Sequence, residues 1–197
     1  MVVLRSNFIK CVVIGDENVG KTSLLMSYAT DQFPTQHVPS VFDNYAGCIC
    51  LSGKQYSLQL IDTLDERRSA ENNRCIYPGT DVFVVCFSVV NPESFKNVER
   101  KWVPEIRRYM GDVPFIVVGT KADLRQDDKV NRQLQAKCQY PVSYSDATKS
   151  SKELGASCYI ECSPCMPKRM RKVINDALLS VFQPRWESPN TPSCSIL

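Results

Sequence analysis

Gly15-Asp16-Glu17-Asn18-Val19-Gly20-Lys21-Thr22 fits the pattern G-x-x-x-x-G-K-[ST], and its neighbours make it a phosphate loop. The apolar run Phe8 to Ile14 leads into it as a strand, and Gly20 to Thr30 leaves it as a helix, with apolar residues recurring from Thr22 to Tyr28. Glycines let backbone N–H groups turn inward around a polyphosphate, and the helix points its positive end at the same place. Lys21 brings a point charge for the β- and γ-phosphates, and the Thr22 hydroxyl, next to Ser23, a ligand for Mg²⁺. The ligand class is thus a nucleoside phosphate. Glu17 is discordant, because it puts a carboxylate inside the cradle.

The rest of the chain alternates strands and helices. Tyr45 to Leu51 and Gln55 to Asp62 alternate apolar and polar residues around Ser52-Gly53-Lys54, which predicts a hairpin. Val82 to Ser88 and Val113 to Gly119 read as buried strands, and Cys158 to Glu161 as a short one. Asn91-Pro92-Glu93 supplies a cap, a first-turn proline and an early acid, so a helix runs from there to about Met110. Asp127 to Cys138 is polar and helix-permissive, an insertion and not a core element. Ser145 to Gly155 is a further helix. The last one carries Met170, Val173, Ile174, Ala177, Leu178, Val181 and Phe182 on one face, with Lys168, Arg169, Arg171 and Lys172 as a solvated first turn. Such alternation predicts an open, mainly parallel sheet with helices on both faces.

Composition narrows the function. A chain of 197 residues, 43% hydrophobic and 23% charged, suits one soluble domain, and a net charge of +3 is too small to argue for nucleic acid. No apolar run reaches membrane-spanning length, and the first residues carry no signal-peptide pattern, so a cytoplasmic location is expected. The ten cysteines are then expected as thiols, most of them, such as Cys11 and Cys86, acting as small core residues. Cys162-Ser163-Pro164-Cys165 has redox or zinc spacing, but no second pair exists and His37 is the only histidine.

A second motif, Thr120-Lys121-Ala122-Asp123, follows the strand ending at Gly119 and so falls at the carboxyl edge of the same sheet. A carboxylate there accepts from guanine N1–H and N2–H₂. Adenine would leave Asp123 unpaired, which is strongly penalised. The Lys121 stem can lie along the base.

With these two motifs in place, the sequence resembles the Ras superfamily, and within it the Rho family near Rac and RhoG, over roughly residues 7–183 and the last four. Val38-Pro39-Ser40-Val41-Phe42-Asp43-Asn44-Tyr45 is similar to the Rho switch I segment. Asp62-Thr63 opens switch II, and Tyr159-Ile160-Glu161-Cys162-Ser163 is similar to the third guanine-contact loop. The resemblance implies an α/β, three-layer phosphate-loop NTPase (Ras-like) fold. Its sheet has six strands, mostly parallel with one antiparallel, beside five main helices and a Rho insert helix at about 125–138. It implies a GTP-binding domain over 1–183 and a flexible tail over 184–197. GTP or GDP would be bound with Mg²⁺ held by Thr22, Ser40 and, through water, Asp62, while Phe33 lies against the guanine ring. Effectors would read switch I, and signalling to the actin cytoskeleton is the process implied. The terminal Cys194-Ser195-Ile196-Leu197 fits C-a-a-X with leucine last, which favours a geranylgeranyl group on Cys194 and a reversible membrane anchor.

The departures from that family sit at the chemistry. The family has glycine at position 17, and Ala-Gly-Gln where this chain has Leu64-Asp65-Glu66. Asp65 brings a carboxylate to the γ-phosphate. Glu66 stands where a glutamine orients the attacking water, and when ionised it only accepts hydrogen bonds. At about 4 Å and an effective dielectric near 20, one like-charge pair costs on the order of 4 kcal/mol, which Mg²⁺, Arg67 or Arg68 could partly offset. Pro164 has no N–H for guanine O6, an expected loss of roughly 1–3 kcal/mol. His37 replaces a switch I tyrosine, and Ser69, Asn72 and Cys75 replace a tyrosine and two leucines in switch II. Recognition by exchange factors, activating proteins and the dissociation inhibitor is expected to weaken accordingly. Three functions therefore stay open: a slow GTPase switch, a binding module that has lost nucleotide, and a phosphate-loop kinase, which lacks any acceptor site and is opposed by Asp123.

Overall fold

A computed structural model describes residues 7–30, 45–51, 53–63, 75–163 and 167–182. Among the described residues six strands form one sheet: β1 (Phe8–Gly15), β2 (Tyr45–Leu51), β3 (Lys54–Asp62), β4 (Val82–Ser88), β5 (Phe115–Thr120) and β6 (Tyr159–Glu161). Their order is β2-β3-β1-β4-β5-β6. Only the β2–β3 pair, closed around Gly53 at φ 77°, is antiparallel. The remaining pairs are parallel, so β1, β3, β4, β5 and β6 end at one edge. This is the α/β architecture expected from the sequence, a mostly parallel six-stranded sheet with one antiparallel strand.

Alternation along the central strands sorts side chains between two cores. Ile9, Cys11 and Val13 face one side of the sheet, with Leu24 and Leu25 of α1 (Lys21–Thr30) and Val173, Ile174, Ala177 and Leu178 of the last helix. Val12 and Ile14 face the other side, with Val98, Trp102, Val103, Ile106 and Ala147. β4 and β5 are buried at every residue, as expected of parallel strands covered on both faces.

Between β4 and β5 the chain makes not one uniform helix but three joined pieces: α2 (Pro92–Asn97), a π turn (Val98–Trp102) and α3 (Val103–Met110). Asn91 caps it as expected, its side chain accepting from Ser94 N–H. The interruption has a cause in Pro104. Proline lacks an N–H and would collide with the carbonyl four residues back in a regular helix. Instead the Val103 N–H reaches the Val98 carbonyl, five residues back, and Pro104 falls in the first turn of α3.

Other boundaries move for similarly local reasons. β5 starts at Phe115, not Val113, because the Val113 N–H turns back to Met110 and Pro114 has no N–H; its carbonyl still accepts from Phe83. It ends at Thr120. β6 begins at Tyr159 and β3 at Lys54, one residue from the expected positions. The polar segment after β5 contains a 3₁₀ turn (Ala122–Gln126) and α4 (Asp128–Gln135), capped by Asp127 and burying only Leu134. Ser143 caps α5 (Tyr144–Glu153), and α6 (Pro167–Ser180) completes the fold. Phe182 departs from the expected stripe: it is 41% exposed, beyond the end of α6, its ring 5.1 Å from Tyr56. Eight described cysteines are free thiols, with Cys11, Cys86 and Cys162 buried. Among the described residues no helix is long and apolar enough to cross a membrane.

Ile174 is fully buried between α1 and the sheet. Ile174→Ala is expected to lower unfolding free energy by about 2–5 kcal/mol, read from the urea midpoint at unchanged slope.

Candidate nucleotide-binding site

The phosphate loop sits at the carboxyl edge where β1 meets β4. Gly15 has φ 147°, and a Cβ there would lie 2.2 Å from the Cys86 carbonyl oxygen, so no other residue fits without parting the strands. Gly20, at φ 101°, turns the chain into α1. Asn18 takes the left-handed region at φ 57°, which asparagine tolerates. Glu17 has no positive φ and is partly exposed. Its backbone therefore carries none of the strain that replacing a glycine leads one to expect.

Lys21 is buried, and its ammonium donates to the carbonyls of Gly15 (2.9 Å) and Asp16 (2.7 Å), the chord of the loop. Val19 is buried under the loop, and Ser23 is partly buried beside Thr22 in the first turn of α1. The Thr22 hydroxyl donates to Asp62 Oδ2 at 2.5 Å, joining α1 to the end of β3. Asp62 is only 5% exposed, and its other oxygen, Oδ1, is buried without a hydrogen-bond partner among the described residues. Burial pushes the Asp62 carboxyl up, against the Thr22 hydrogen bond and the Lys21 charge. A buried carboxylate oxygen left over beside a threonine hydroxyl matches the oxygen-donor chemistry of Mg²⁺ and its water shell.

The second loop is tied to the first. The single Thr120 hydroxyl proton is shared between the carbonyls of Val19 and Phe87, the latter 2.9 Å from Oγ1. Lys121 adopts a left-handed φ of 56°, and its ammonium donates to the Asn18 carbonyl at 2.6 Å, so its stem crosses from β5 to the phosphate loop. Burial pulls the Lys121 ammonium below its ordinary value, with Asp123 opposing. Asp123 itself is exposed at the sheet edge. The third loop approaches through Ala122 N–H to the Cys162 carbonyl at 3.3 Å, and Ser163 is buried with its hydroxyl unpartnered among the described residues.

The structure thus gathers Gly15 to Ser23, Asp62, Thr120, Lys121, Asp123 and Ser163 at one edge. Asp16 joins them through its backbone only: its carboxylate turns away and accepts from Trp102 Nε1 at 2.8 Å and Asn97 Nδ2 at 2.7 Å. Phe33, Ser40, Asp65, Glu66, Pro164 and Cys194 lie outside the described residues, as do His37, the switch I stretch up to Asn44, Leu64 to Asn72 and Cys165. Cys75 is described and exposed.

Two features escaped the sequence reading. One is the Asp16 clamp. The other is a fork between Arg125 and Glu161: Nη1 donates to Oε2 at 2.8 Å and Nη2 to Oε1, while Tyr159 Oη also donates to Oε1 at 2.7 Å. The fork braces the loop carrying Asp123 against the one carrying Ser163. Gly119 belongs to the same arrangement, since a Cβ there would meet Tyr159 Oη at 2.4 Å.

A family model, the Ras family, matches residues 10–183 of the chain. The chain belongs to the Ras family. It is a small GTP-binding protein of the phosphate-loop class. Proteins of that family bind GTP and GDP, typically with Mg²⁺, and engage effectors, exchange factors and activating proteins. The matched residues hold the phosphate loop, Asp62 and the Thr120–Asp123 motif, so the match and the site geometry coincide.

Burial works against the Glu161 charge, but hydrogen bonds from Arg125 and Tyr159 prevail and hold its carboxyl below the ordinary value. Its contribution to stability is complete above the free glutamate pKa of about 4.3 and drains away as pH falls through the lower folded value. Glu161→Gln is expected to melt lower at neutral pH yet lose less between pH ~5 and 3 than the wild type. Arg125→Ala should cost roughly 3 kcal/mol at pH 7, because it strands a carboxylate that is 6% exposed. Thermal melts across pH measure both.

Proposed function

We propose that this chain is a Rho-type guanine-nucleotide switch that binds GTP with Mg²⁺, hydrolyses it slowly, and works at the cytoplasmic face of a membrane. The observation that carries the nucleotide reading is the buried Asp62 oxygen, without a hydrogen-bond partner among the described residues, beside Thr22 and Lys21. The Rho assignment is supported by the switch I stretch Val38 to Tyr45 and by the helical insertion after β5.

Each residue then has a task. Backbone N–H groups from Gly15 to Thr22 wrap the phosphates, and Lys21 exchanges its two carbonyls for phosphate oxygens. Thr22, Ser40 and, through water, Asp62 would hold Mg²⁺, which would supply positive charge against the phosphates. Asp123 accepts from the guanine edge. Hydrolysis is attack of water on the γ-phosphorus with cleavage of its bond to the bridging oxygen, giving GDP and phosphate. By likeness to the family, Glu66 would take the place of the water-orienting glutamine, and as a carboxylate it would accept but not donate. Glu17 and Asp65 add negative charge where an activating arginine, worth roughly 10³–10⁵ in rate, would have to enter. Slow turnover and effector reading through switch I follow, with the cytoskeleton as the process that likeness to Rho proteins suggests. The thin tail, with Cys194 as its lipid site, gives an anchor that exchanges between membrane and cytosol.

A second reading, a binding module that no longer uses nucleotide, is favoured by one observation. Lys21 and Thr22 already find partners within the chain, so the loop keeps its shape on internal bonds.

Protein purified from cells and denatured is expected to release guanine nucleotide with GTP prominent. Glu17→Gly should then raise single-turnover hydrolysis about tenfold or more, and Pro164→Ala should slow GDP release by about tenfold. Protein that yields no nucleotide, takes up none and gains no melting temperature from GDP and Mg²⁺ would establish the module instead. On fractionation, Cys194→Ser should move the protein from membranes to the soluble phase; unchanged association would remove the lipid anchor.

A further inference from the structure

The phosphate loop carries a carboxylate at its second position, where negative charge opposes an anionic ligand, and the fold turns that carboxylate away. Asp16 Oδ1 accepts from Trp102 Nε1 at 2.8 Å and Oδ2 from Asn97 Nδ2 at 2.7 Å, while the Asp16 carbonyl accepts from Lys21. Both oxygens are thus held by neutral N–H donors across 81 and 86 residues of sequence. Trp102, the last residue of the π turn, is buried in the core, and the Lys101 ammonium lies 4.3 Å from the centre of its ring, so the indole has little freedom.

The helix geometry explains how two donors five residues apart meet one carboxylate. In a regular α-helix such residues point about 140° apart, at roughly 100° per residue. The π turn Val98–Trp102, enforced by Pro104, widens the winding and brings Asn97 and Trp102 to neighbouring places. Pro104, the π turn, the two donors and Asp16 form one mechanical chain ending at the phosphate loop.

We propose that Asn97 and Trp102 are positioning residues for the nucleotide: by clamping Asp16 they hold the second residue of the phosphate loop in place and keep its charge off the phosphates, and so set how long the nucleotide stays bound. This rests on the nucleotide-binding reading above. The clamp also makes Trp102 an optical reporter, since its indole N–H ends on the loop that meets the ligand.

The test uses the full chain with Trp186→Phe, which leaves Trp102 as the sole tryptophan. Removing GDP with EDTA should change Trp102 emission. Trp102→Phe and Asn97→Ala, each deleting one donor, should each speed release of a fluorescent GDP analogue by about tenfold. The exchange Asp16→Asn with Asn97→Asp reverses one hydrogen bond and keeps the other acceptor, so it should restore slow release where Asp16→Asn alone does not. Release within twofold of the parent protein in both single variants, or emission indifferent to nucleotide, would overturn the clamp while leaving nucleotide binding standing. A parent protein that takes up no GDP would overturn both.

Discussion

Gly15 passes so close to β4 that even a methyl group would strike the Cys86 carbonyl, and the phosphate end of the molecule depends on that approach. It lets β1 run parallel and in register beside β4 to its last residue, Gly15 against Cys86. The chain then leaves the sheet with a positive φ and curls over the edge where β3, β4 and β5 also finish. Asp62, Ser88 and Thr120 are the terminal residues of those three strands. A second loop can reach the first with short side chains only because the strand ends lie this near one another. Thr120 does so with a single hydroxyl.

Local features were legible in the residues, and distant pairings were not. The phosphate loop is contiguous, its strand and helix are its neighbours, and periodicity alone placed β1, β2 and β4. Asn91 and Pro92 announced a helix start that the hydrogen bond to Ser94 bears out. Within that helix, Pro104 was the overlooked signal: a proline thirteen residues past the cap demanded either a kink or a wider turn. Pro114 likewise carried the reason that β5 starts late. By contrast nothing near Arg125 points to Glu161, and nothing near Asp16 points to Trp102. Those contacts come from folding elements together, and only general facts, such as the rarity of an unpaired buried carboxylate, hinted that partners must exist. Phe182 continued an apolar stripe on paper but falls after α6 has ended.

Crowding by carboxylates at the γ-phosphate looks different once the loop has a shape. Asp16, which was not among the carboxylates expected to crowd the phosphate, is turned away by its two donors. Glu17 stands on backbone that any residue adopts, so its influence is electrostatic and not steric strain in the loop. Repulsion of that kind weakens with salt and with any cation nearby, whereas a clash would not. Arg125 and Glu161 supply a counterexample in which a buried charge is fully matched, and their bracing role shows that this sheet edge can hold ions when their partners are provided.

Asn18 and Lys121, one in each loop, both adopt left-handed backbone, and the Lys121 ammonium rests on the Asn18 carbonyl. Each conformation is one that the residue would leave if released, at a gain of about 1–2 kcal/mol for lysine. The two loops therefore act as a sprung latch whose halves keep each other cocked. Loosening either loop removes the contact that joins it to the other. Ligand residence time is therefore expected to shorten when either half of the latch is loosened.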